Sequence, residues 1–341
     1  MKTYSVVEIL GDGISAELSQ SVHAICAVLP CRIEFVPVDL SLESRQRQGG
    51  VVYDSCVQAM QRLGLAIKYP TTTSEESPNQ VLRDRCDFSV IHRPVATIPG
   101  IENNFKKTID IEVIRVATGG TYDDPGMRIC DEAAVSIRKI EKTPSRHAAR
   151  FAFELAQRRG THVVSTSKWT IQRATDGLFE EAVDEIRAQF PAIAHRRELF
   201  DSLLAGIIMK PERYSVIVTP NEYGDFLSDS ACGLIGSIGL GDSASYGFDG
   251  TGRVRIAMFD PAGGTAPDIA GRDLCNPTAA LLALANLLGF VGETASSNAL
   301  RQALLCSIGE RQCTRDVGGS LSTSAFTASI AERVRGALQR H

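Results

Sequence analysis

Residues 219–229 read TPNEYGDFLSD and directly follow the β-branched run Val216–Thr219. The run predicts a buried strand, and the segment after it predicts a helix that begins where the strand ends. On a helix, Asp225 and Asp229 are four positions apart, so both carboxylates lie on one side, about 6 Å from each other. Such a pair suits a hard divalent cation, although the helix macrodipole also favours acidic residues in a first turn. The stretch alone leaves both interpretations open.

The same alternation of short strands and helices extends along the rest of the chain. Helical spacing of apolar residues is clear at Ala148–Leu155 and at Phe179–Ile186, where Thr175-Asp176-Gly177 marks the helix start. This alternation predicts βαβ units, a mostly parallel sheet and an α/β fold. The predicted strands are Tyr4–Leu10, Arg32–Val38, Phe88–Ile91, Ile111–Val116, Thr161–Thr166 and Val216–Thr219.

Composition narrows the class of protein. The 341 residues are 43% hydrophobic, which indicates a globular protein, and the length suggests two domains. Lys and Arg number 36 against 40 Asp and Glu, so the net charge of −4 argues against a nucleic-acid partner. Nine cysteines show no CxxC pair or zinc spacing, and the first residues show no signal peptide, so we expect a cytoplasmic protein with reduced thiols. The apolar run Ala279–Val291 has 13 residues where a membrane span needs about 20, and it predicts a buried helix.

Two glycine-rich segments are candidates for binding a nucleotide. Gly11-Asp12-Gly13-Ile14 follows the first predicted strand, where backbone N–H groups can approach a ligand. It lacks the GxGxxG fingerprint and fits an ordinary tight turn equally well. Residues 263–271, with Asn276-Pro277 beyond them, form a small-residue loop ahead of the apolar helix. This loop can wrap an adenine ring, or it can be a structural Ω-loop.

Three arginines are spaced around Ser77-Pro78-Asn79. Arg83 follows this segment by about one helical turn, Arg93 precedes a proline, and Arg115 lies near the end of a predicted strand. The guanidinium group binds carboxylates with two parallel hydrogen bonds, so three of them at strand and helix ends suit a di- or tricarboxylate. Each arginine taken alone is equally explained as a surface residue with an acidic partner.

Taken together and in this order, the segments resemble the β-decarboxylating dehydrogenase family of isocitrate and 3-isopropylmalate dehydrogenases, closest to the NAD-dependent isocitrate type. The resemblance covers residues 8–292 and is strongest at 175–179, 219–225 and 266–271. It implies that family's fold, two α/β domains flanking a cleft, which is not a true Rossmann fold. The implied domains are a large, discontinuous cofactor-binding domain (1–92 plus 236–341) and a small domain (93–235) with a dimerisation or clasp element near 120–150.

The resemblance also implies roles for particular residues. Tyr122 and Lys168 match the catalytic pair, and Lys168 with Asp201 would be lent by the partner subunit of a homodimer. The implied ligands of Mg²⁺ or Mn²⁺ are Asp201, Asp225 and Asp229. The implied substrate-binding residues are Ser77, Asn79, Arg83, Arg93 and Arg115. The implied cofactor-binding residues are Ile14, Thr73, Gly264, Thr265, Ala266, Pro267, Asp268, Ile269 and Asn276.

The implied reaction is the oxidative decarboxylation of a 2-hydroxy acid by a nicotinamide cofactor. Asp268-Ile269 stands where NADP-using relatives carry Lys-Tyr, and a carboxylate there would repel a 2′-phosphate, which favours NAD. The polar pair Ser77 and Asn79 favours isocitrate, converted to 2-oxoglutarate, or a close analogue.

The alternatives are a 3-isopropylmalate, homoisocitrate or tartrate dehydrogenase, and a non-catalytic regulatory subunit of a hetero-oligomeric isocitrate dehydrogenase. Two departures from the family pattern motivate the regulatory alternative. Residues 116–121 read VATGGT, without the acidic and amide residues usual there, and Gly263 replaces the usual His.

Overall fold

The computed structural model of the chain describes residues 2–74, 76–236 and 240–340. Strands and helices alternate through the described part, and ten strands form one sheet. The strands are β1 Thr3–Leu10, β2 Arg32–Asp39, β3 Leu65–Lys68, β4 Phe88–Ala96, β5 Asp110–Val116, β6 Met127–Cys130, β7 Ala133–Val135, β8 Val163–Ser167, β9 His195–Leu199, β10 Val216–Thr219, β11 Asp242–Phe248 and β12 Val254–Pro261. The helices are α1 Ser15–Cys26, α2 Leu42–Gln48, α3 Gly50–Leu63, α4 Pro78–Arg85, α5 Lys142–Arg159, α6 Thr175–Arg187, α7 Phe200–Met209, α8 Asn221–Leu234, α9 Thr278–Phe290, α10 Thr294–Gly309 and α11 Thr323–Leu338.

The large sheet is mixed, with parallel pairs toward both edges. Its order is β2-β1-β3-β12-β11-β4-β5-β10-β8-β9, and β6 with β7 forms a separate hairpin. The pairs β12–β11, β11–β4 and β4–β5 in the middle are antiparallel, whereas the remaining pairs are parallel. The predicted α/β fold with a mostly parallel sheet is confirmed. The predicted division between residues 92 and 93 falls inside β4, and the two-domain organisation stays a prediction.

The apolar run that predicts a buried helix forms α9. Its Leu281, Leu284 and Leu288 are fully buried between the sheet and α10. Because neighbours surround it, the helix is apolar on all sides rather than along one stripe. None of the helices in the described ranges is both long enough and apolar enough to cross a membrane.

The six predicted strands are all present, with shifted ends. The strand predicted at Thr161 begins two residues later, at Val163. Gly160 ends α5 in the left-handed region with a φ of 62°, and the Thr161 N–H donates to the carbonyl of Ala156 at 2.9 Å. These two residues cap the helix and are therefore not free to join the sheet.

Helices cover both faces of the sheet. Helices α1, α5, α6, α9, α10 and α11 pack on one side, which we call the back face, around the buried rings of Phe153, Phe179 and Phe326. Helices α3 and α4 pack on the opposite side, the front face, over β1, β3 and β4. Helix α8 continues this layer over β5 and β10, and α7 continues it over β8 and β9. The candidate site lies on the front face between α4 and α8.

A buried carboxylate on the back of the sheet predicts a pH-dependent stability. Asp242 is 4% exposed and accepts a hydrogen bond from Asn286, and burial raises its pKa to about 6 against the opposing effect of Arg301. Because the folded pKa lies above the unfolded one, this group's stabilisation is present below about pH 4 and lost as the pH rises through 6. The loss amounts to at most about 3 kcal/mol.

We expect Asp242→Asn to flatten this dependence, since an amide accepts the same hydrogen bond and never ionises. Denaturant unfolding at pH 5 and pH 8 measures it, with the exposed Glu332→Gln as the control. If the variant and the wild type lose equal stability between the two pH values, Asp242 is not the group responsible.

Candidate active site

Two of the three predicted arginines converge beside the first turns of α8. Arg93 lies on β4 and donates to Asp225 at 2.9 Å and to Ser228 at 2.8 Å. Arg115, on the neighbouring strand β5, contacts the same Asp225 carboxylate and donates from Nε to Asn221 at 2.8 Å. The sheet explains this meeting, because β10 pairs with β5 and delivers α8 directly over the end of that strand.

The cluster carries a local excess of positive charge. Burial and the neighbouring Arg93 together lower the pKa of Arg115 to about 10. Burial and the same neighbour also lower the pKa of Arg83, in the last turn of α4. Burial opposes ionisation of Asp225, but Arg115 and Arg93 outweigh it and hold the pKa of this carboxyl below its ordinary value. The group as a whole is suited to receive anionic carboxylates.

Tyr122 joins this cluster from the loop after β5. Its hydroxyl donates to Oδ2 of Asp225 at 3.1 Å, and its ring centroid lies 5.7 Å from the Arg115 guanidinium carbon. Burial and Asp225 raise the pKa of Tyr122, so the hydroxyl keeps its proton and can donate it. The loop depends on Gly120, which has a φ of 72° and whose absent Cβ would lie 1.9 Å from the Glu222 carboxylate.

Lys168 and Asp201 form a second, separate pair. They follow the neighbouring parallel strands β8 and β9, so both stand at the same edge of the sheet. Lys168 Nζ donates to Asp201 at 2.8 Å, and this hydrogen bond lowers the pKa of Asp201. In the described part of the chain, no hydrogen bond or ion pair joins this pair to Asp225 or Tyr122. The predicted loan of both residues to a partner subunit stays a prediction.

The carboxylates fit a divalent cation only in part. Asp225 and Asp229 lie one turn apart on α8 and both accept from Arg93, at 2.9 and 3.3 Å. Ionised carboxylate oxygens are the donors that Mg²⁺ and Mn²⁺ prefer. Among the residues that the structure describes, no three acidic, His or Cys side chains come together as a complete metal site. One copy of the chain therefore brings together two of the three predicted ligands.

The glycine-rich segments meet beside the front face. The Ile14 N–H donates to the carbonyl of Thr265 at 2.9 Å, which joins the first turn to the 263–271 loop. Asp12 accepts from the Thr72 N–H at 2.7 Å and so fixes the loop that carries Thr73. These contacts bring three of the predicted cofactor segments into one neighbourhood, where backbone groups can approach a nucleotide.

Two further predicted cofactor residues, Asp268 and Asn276, differ in whether their side chains already have hydrogen-bond partners. Asp268 is exposed, and its carboxylate contacts no described residue. The Asn276 amide donates to Asp316 at 2.9 Å and accepts from the Thr278 N–H at 3.0 Å, so these contacts hold its side chain within the protein. Of the two side chains, only that of Asp268 is free to interact with a bound cofactor without breaking a contact within the protein.

Ser77 and Asn79 flank the start of α4, one to two turns before Arg83 on the same helix. Ser77 is half-buried and Asn79 exposed, and neither side chain has a hydrogen bond to a described residue. Both side chains are therefore free to donate hydrogen bonds to a ligand at the start of α4, the helix that carries Arg83.

An ionic network that sequence reasoning missed connects the backbone at Lys168 to the loop that carries Tyr122. Arg138 donates to Asp176 at 2.8 Å and forms an ion pair with Glu222. Asp176 accepts from the Lys168 N–H at 2.7 Å, and Glu222 accepts from the N–H of Thr121, next to Tyr122. The sequence marked Asp176 only as part of a helix start, and Arg138 carries no local signal because its partners are distant in the chain.

Comparison with known proteins shows which family model, relatives and solved structures this chain matches. The family model described as isocitrate/isopropylmalate dehydrogenase matches residues 4–334. Subunit 2 of the mitochondrial NAD isocitrate dehydrogenase of Saccharomyces cerevisiae is 34% identical, over 97% of this chain and 90% of the relative. The isocitrate/homoisocitrate dehydrogenase of Thermus thermophilus is 31% identical, over 97% and 99% of the two chains. The crystal structure of isocitrate dehydrogenase from Methylococcus capsulatus is similar with a TM-score of 0.87 at 28% identity, covering 97% and 99% of the chains.

Proposed function

We propose that this chain, which belongs to the isocitrate/isopropylmalate dehydrogenase family, oxidatively decarboxylates a 2-hydroxy tricarboxylic acid, isocitrate or a close analogue, with NAD and a divalent cation. The chain is an oxidoreductase of that family. The observation that carries the proposal is the convergence of Arg93 and Arg115 on Asp225, which also accepts a hydrogen bond from the Tyr122 hydroxyl.

In the proposed complex, a carboxylate of the substrate replaces the Asp225 carboxylate on the arginines. Arg93 and Arg115 already hold one carboxylate, that of Asp225, so the geometry suits a substrate carboxylate that takes its place. The donors Ser77 and Asn79 would receive a further carboxylate at the end of α4. An isopropyl group there would leave them unpaired, at a cost of about 1–3 kcal/mol each.

Proton transfers fall to Lys168 and Tyr122. The Lys168 amine of a second copy would take the proton of the C2 hydroxyl, and Tyr122 would protonate the enol carbon after CO₂ leaves. Asp225 and Asp229, with Asp201 of the second copy, would hold a cation that, when bound, draws electron density from the C2 oxygen. NAD, when bound, accepts the hydride from C2.

Exposed apolar side chains support a dimer. Met127 and Ile129 on β6 are 68% and 66% exposed, and Ile137 just beyond β7 is 72% exposed. On the front face, Met209 of α7 and Phe226 of α8 are also exposed. Such residues are typical of protein interfaces. Met209 shares α7 with Asp201, and Phe226 follows Asp225 on α8. A second copy that packs on these helices would complete the two half-sites.

The substrate assignment is tested by NADH formation with D-isocitrate, homoisocitrate, 3-isopropylmalate, tartrate and malate, each with Mg²⁺ and with Mn²⁺. We expect kcat/KM for isocitrate to exceed that for 3-isopropylmalate by about 10²-fold, since two donors would lose their partners. If none of these acids yields NADH, the proposed activity is wrong.

The regulatory alternative rests on two observations, one from the comparisons and one from the sequence. Two similar proteins are named as subunits of a mitochondrial NAD isocitrate dehydrogenase, and residues 116–121 depart from the family pattern. Turnover by the purified chain alone would eliminate this alternative, because a regulatory subunit requires its catalytic partner.

Cofactor choice gives a further prediction. Asp268→Lys exchanges an exposed negative charge for a positive one in the loop that contacts the Ile14 turn. We expect the ratio of kcat/KM for NADP over NAD to rise at least about 10-fold, as the carboxylate that repels a 2′-phosphate is lost. Steady-state kinetics with both cofactors measure the ratio, and Glu332→Lys is the matched charge reversal. A ratio unchanged in Asp268→Lys would mean that this side chain does not face the ribose.

A further inference from the structure

A cavity of about 610 Å³ lies on the back face, between α5 and α9. We call it the back cavity, and its size falls within the range of small-molecule sites. Aromatic rings form its wall. The ring centroids of Phe151 and Tyr246 are 4.7 Å apart, and those of Tyr246 and Phe290 are 5.9 Å apart. A surface of this kind presents π-faces on which a flat ring can stack.

One ring of this wall carries a polar group. Tyr246 is 4% exposed and lines the cavity, and its hydroxyl makes no hydrogen bond to any described residue. Burial raises its pKa, so the group remains a neutral donor. The cavity therefore contains a donor for which the protein itself supplies no acceptor.

Two of the charged side chains that line the cavity are arginines. Arg158 and Arg253 line it, and neither makes an ion pair or a side-chain hydrogen bond within the described ranges. The neighbouring Arg159, by contrast, is held by Asp110 at 2.8 Å and by Glu112. Glu154 supplies one negative charge, and His92 at the base is paired with Glu112 at 2.6 Å. Two unpaired guanidinium groups beside an aromatic wall suit an anion that carries a ring.

We propose that the back cavity binds a planar aromatic anion, whose ring stacks on Phe151, Tyr246 and Phe290 and whose carboxylate or phosphate is bound by Arg158 and Arg253. This site is distinct from the front-face cluster. Along β4, His92 lines the back cavity, while the next residue, Arg93, points to Asp225 on the opposite face. Because the sheet separates the two sites, the aromatic anion does not compete with the acid substrate.

The probe for the test is 8-anilinonaphthalene-1-sulfonate, an aromatic anion that fluoresces when it leaves water. We expect saturable fluorescence with one molecule bound per chain, undiminished by saturating isocitrate. Competition by 1-naphthoate and by 1-naphthyl phosphate then distinguishes a carboxylate from a phosphate ligand, since the ring is the same. Either competitor supports the proposal, and displacement by neither overturns it.

Three variants locate the bound probe. Arg158→Gln and Phe290→Ala remove a charge and a 44% exposed ring, so both should weaken binding at least about 10-fold. Arg62→Gln, an exposed arginine on α3 of the front face, is the matched control and should leave the affinity unchanged. Equal affinities in all three variants would place the probe elsewhere and contradict the proposal. Because binding is read without turnover, this result is independent of whether isocitrate is the substrate.

Discussion

Lys168→Met is expected to lower kcat by about 10³-fold while the protein still binds the cation and the acid substrate. Lys168 extends from the end of β8, and its Nζ is held 2.8 Å from Asp201. Methionine keeps the length of the side chain but has no group that exchanges protons at the C2 oxygen. Steady-state kinetics measure the loss, and calorimetric titration with isocitrate and Mn²⁺ measures binding. A variant with wild-type kcat would refute the role assigned to this amine.

A mixing experiment extends this prediction to the shared site. Lys168→Met damages the pair beside β8 and β9, whereas Asp225→Asn damages the separate front-face cluster. If each site combines one chain's Lys168 with the other chain's Asp225, half of the randomly re-formed dimers contain one intact site of two. The mixture should then regain about a quarter of wild-type activity, although each variant alone keeps only about a thousandth. No recovery in a sample shown to contain mixed dimers would mean that the sites are not shared.

Asp225→Asn is expected to have the second large effect, because one carboxylate serves two purposes. It is a predicted metal ligand, and it is the anion that Arg93, Arg115 and Tyr122 all contact. Without it we expect kcat/KM to fall by about 10³-fold. The affinity for Mn²⁺, read by paramagnetic resonance without turnover, should fall at least about 10-fold.

The same substitution should also reduce stability, which separates it from a purely catalytic change. The side chain of Arg115 is 3% exposed, and without Asp225 its remaining hydrogen bond to Asn221 leaves a buried charge unbalanced. Removing one partner of a buried pair costs about 3 kcal/mol. Partial exposure of Asp225 makes this an upper value. Denaturant unfolding measures it against Asp229→Asn, whose 77% exposed side chain should cost little. Equal stability of the two variants would contradict the role of Asp225 as counter-charge.

How far the sequence could predict the fold depended on where each strand lies in the sheet. β10 is buried on both faces, so its β-branched run was conspicuous. β9, at the sheet edge, reads HRREL with mostly half-buried polar side chains and gave no strand signal. β11, which reads DSASYGF, is buried but built of small and polar residues, and was also missed. Position in the sheet is not the only factor, because the edge strand β2 was predicted and the buried strand β12 was missed.

Some features of the candidate site could likewise be predicted from the sequence, and others could not. The spacing of Asp225 and Asp229 on one side of a helix followed from local periodicity, and the structure places both on α8 beside Arg93. Nothing local indicated that Arg138 would connect Asp176 to Glu222. That Lys168 and Asp201 would stand apart from Asp225 within one chain was implied only by the family resemblance, not by any local pattern.

By itself, the sequence determined the α/β class, the family and the identity of the charged residues, because these depend on periodicity and on short motifs. Only the tertiary structure decided which charges meet. Arg93, Arg115 and Asp225 lie on three elements, and the pairing of β4 with β5 and of β5 with β10 brings them together. The same β4 places His92 in the back cavity and Arg93 in the front cluster, since successive side chains of a strand point to opposite faces. Contacts between distant residues are set by the order of strands in the sheet, and that order is a property of the whole packed chain.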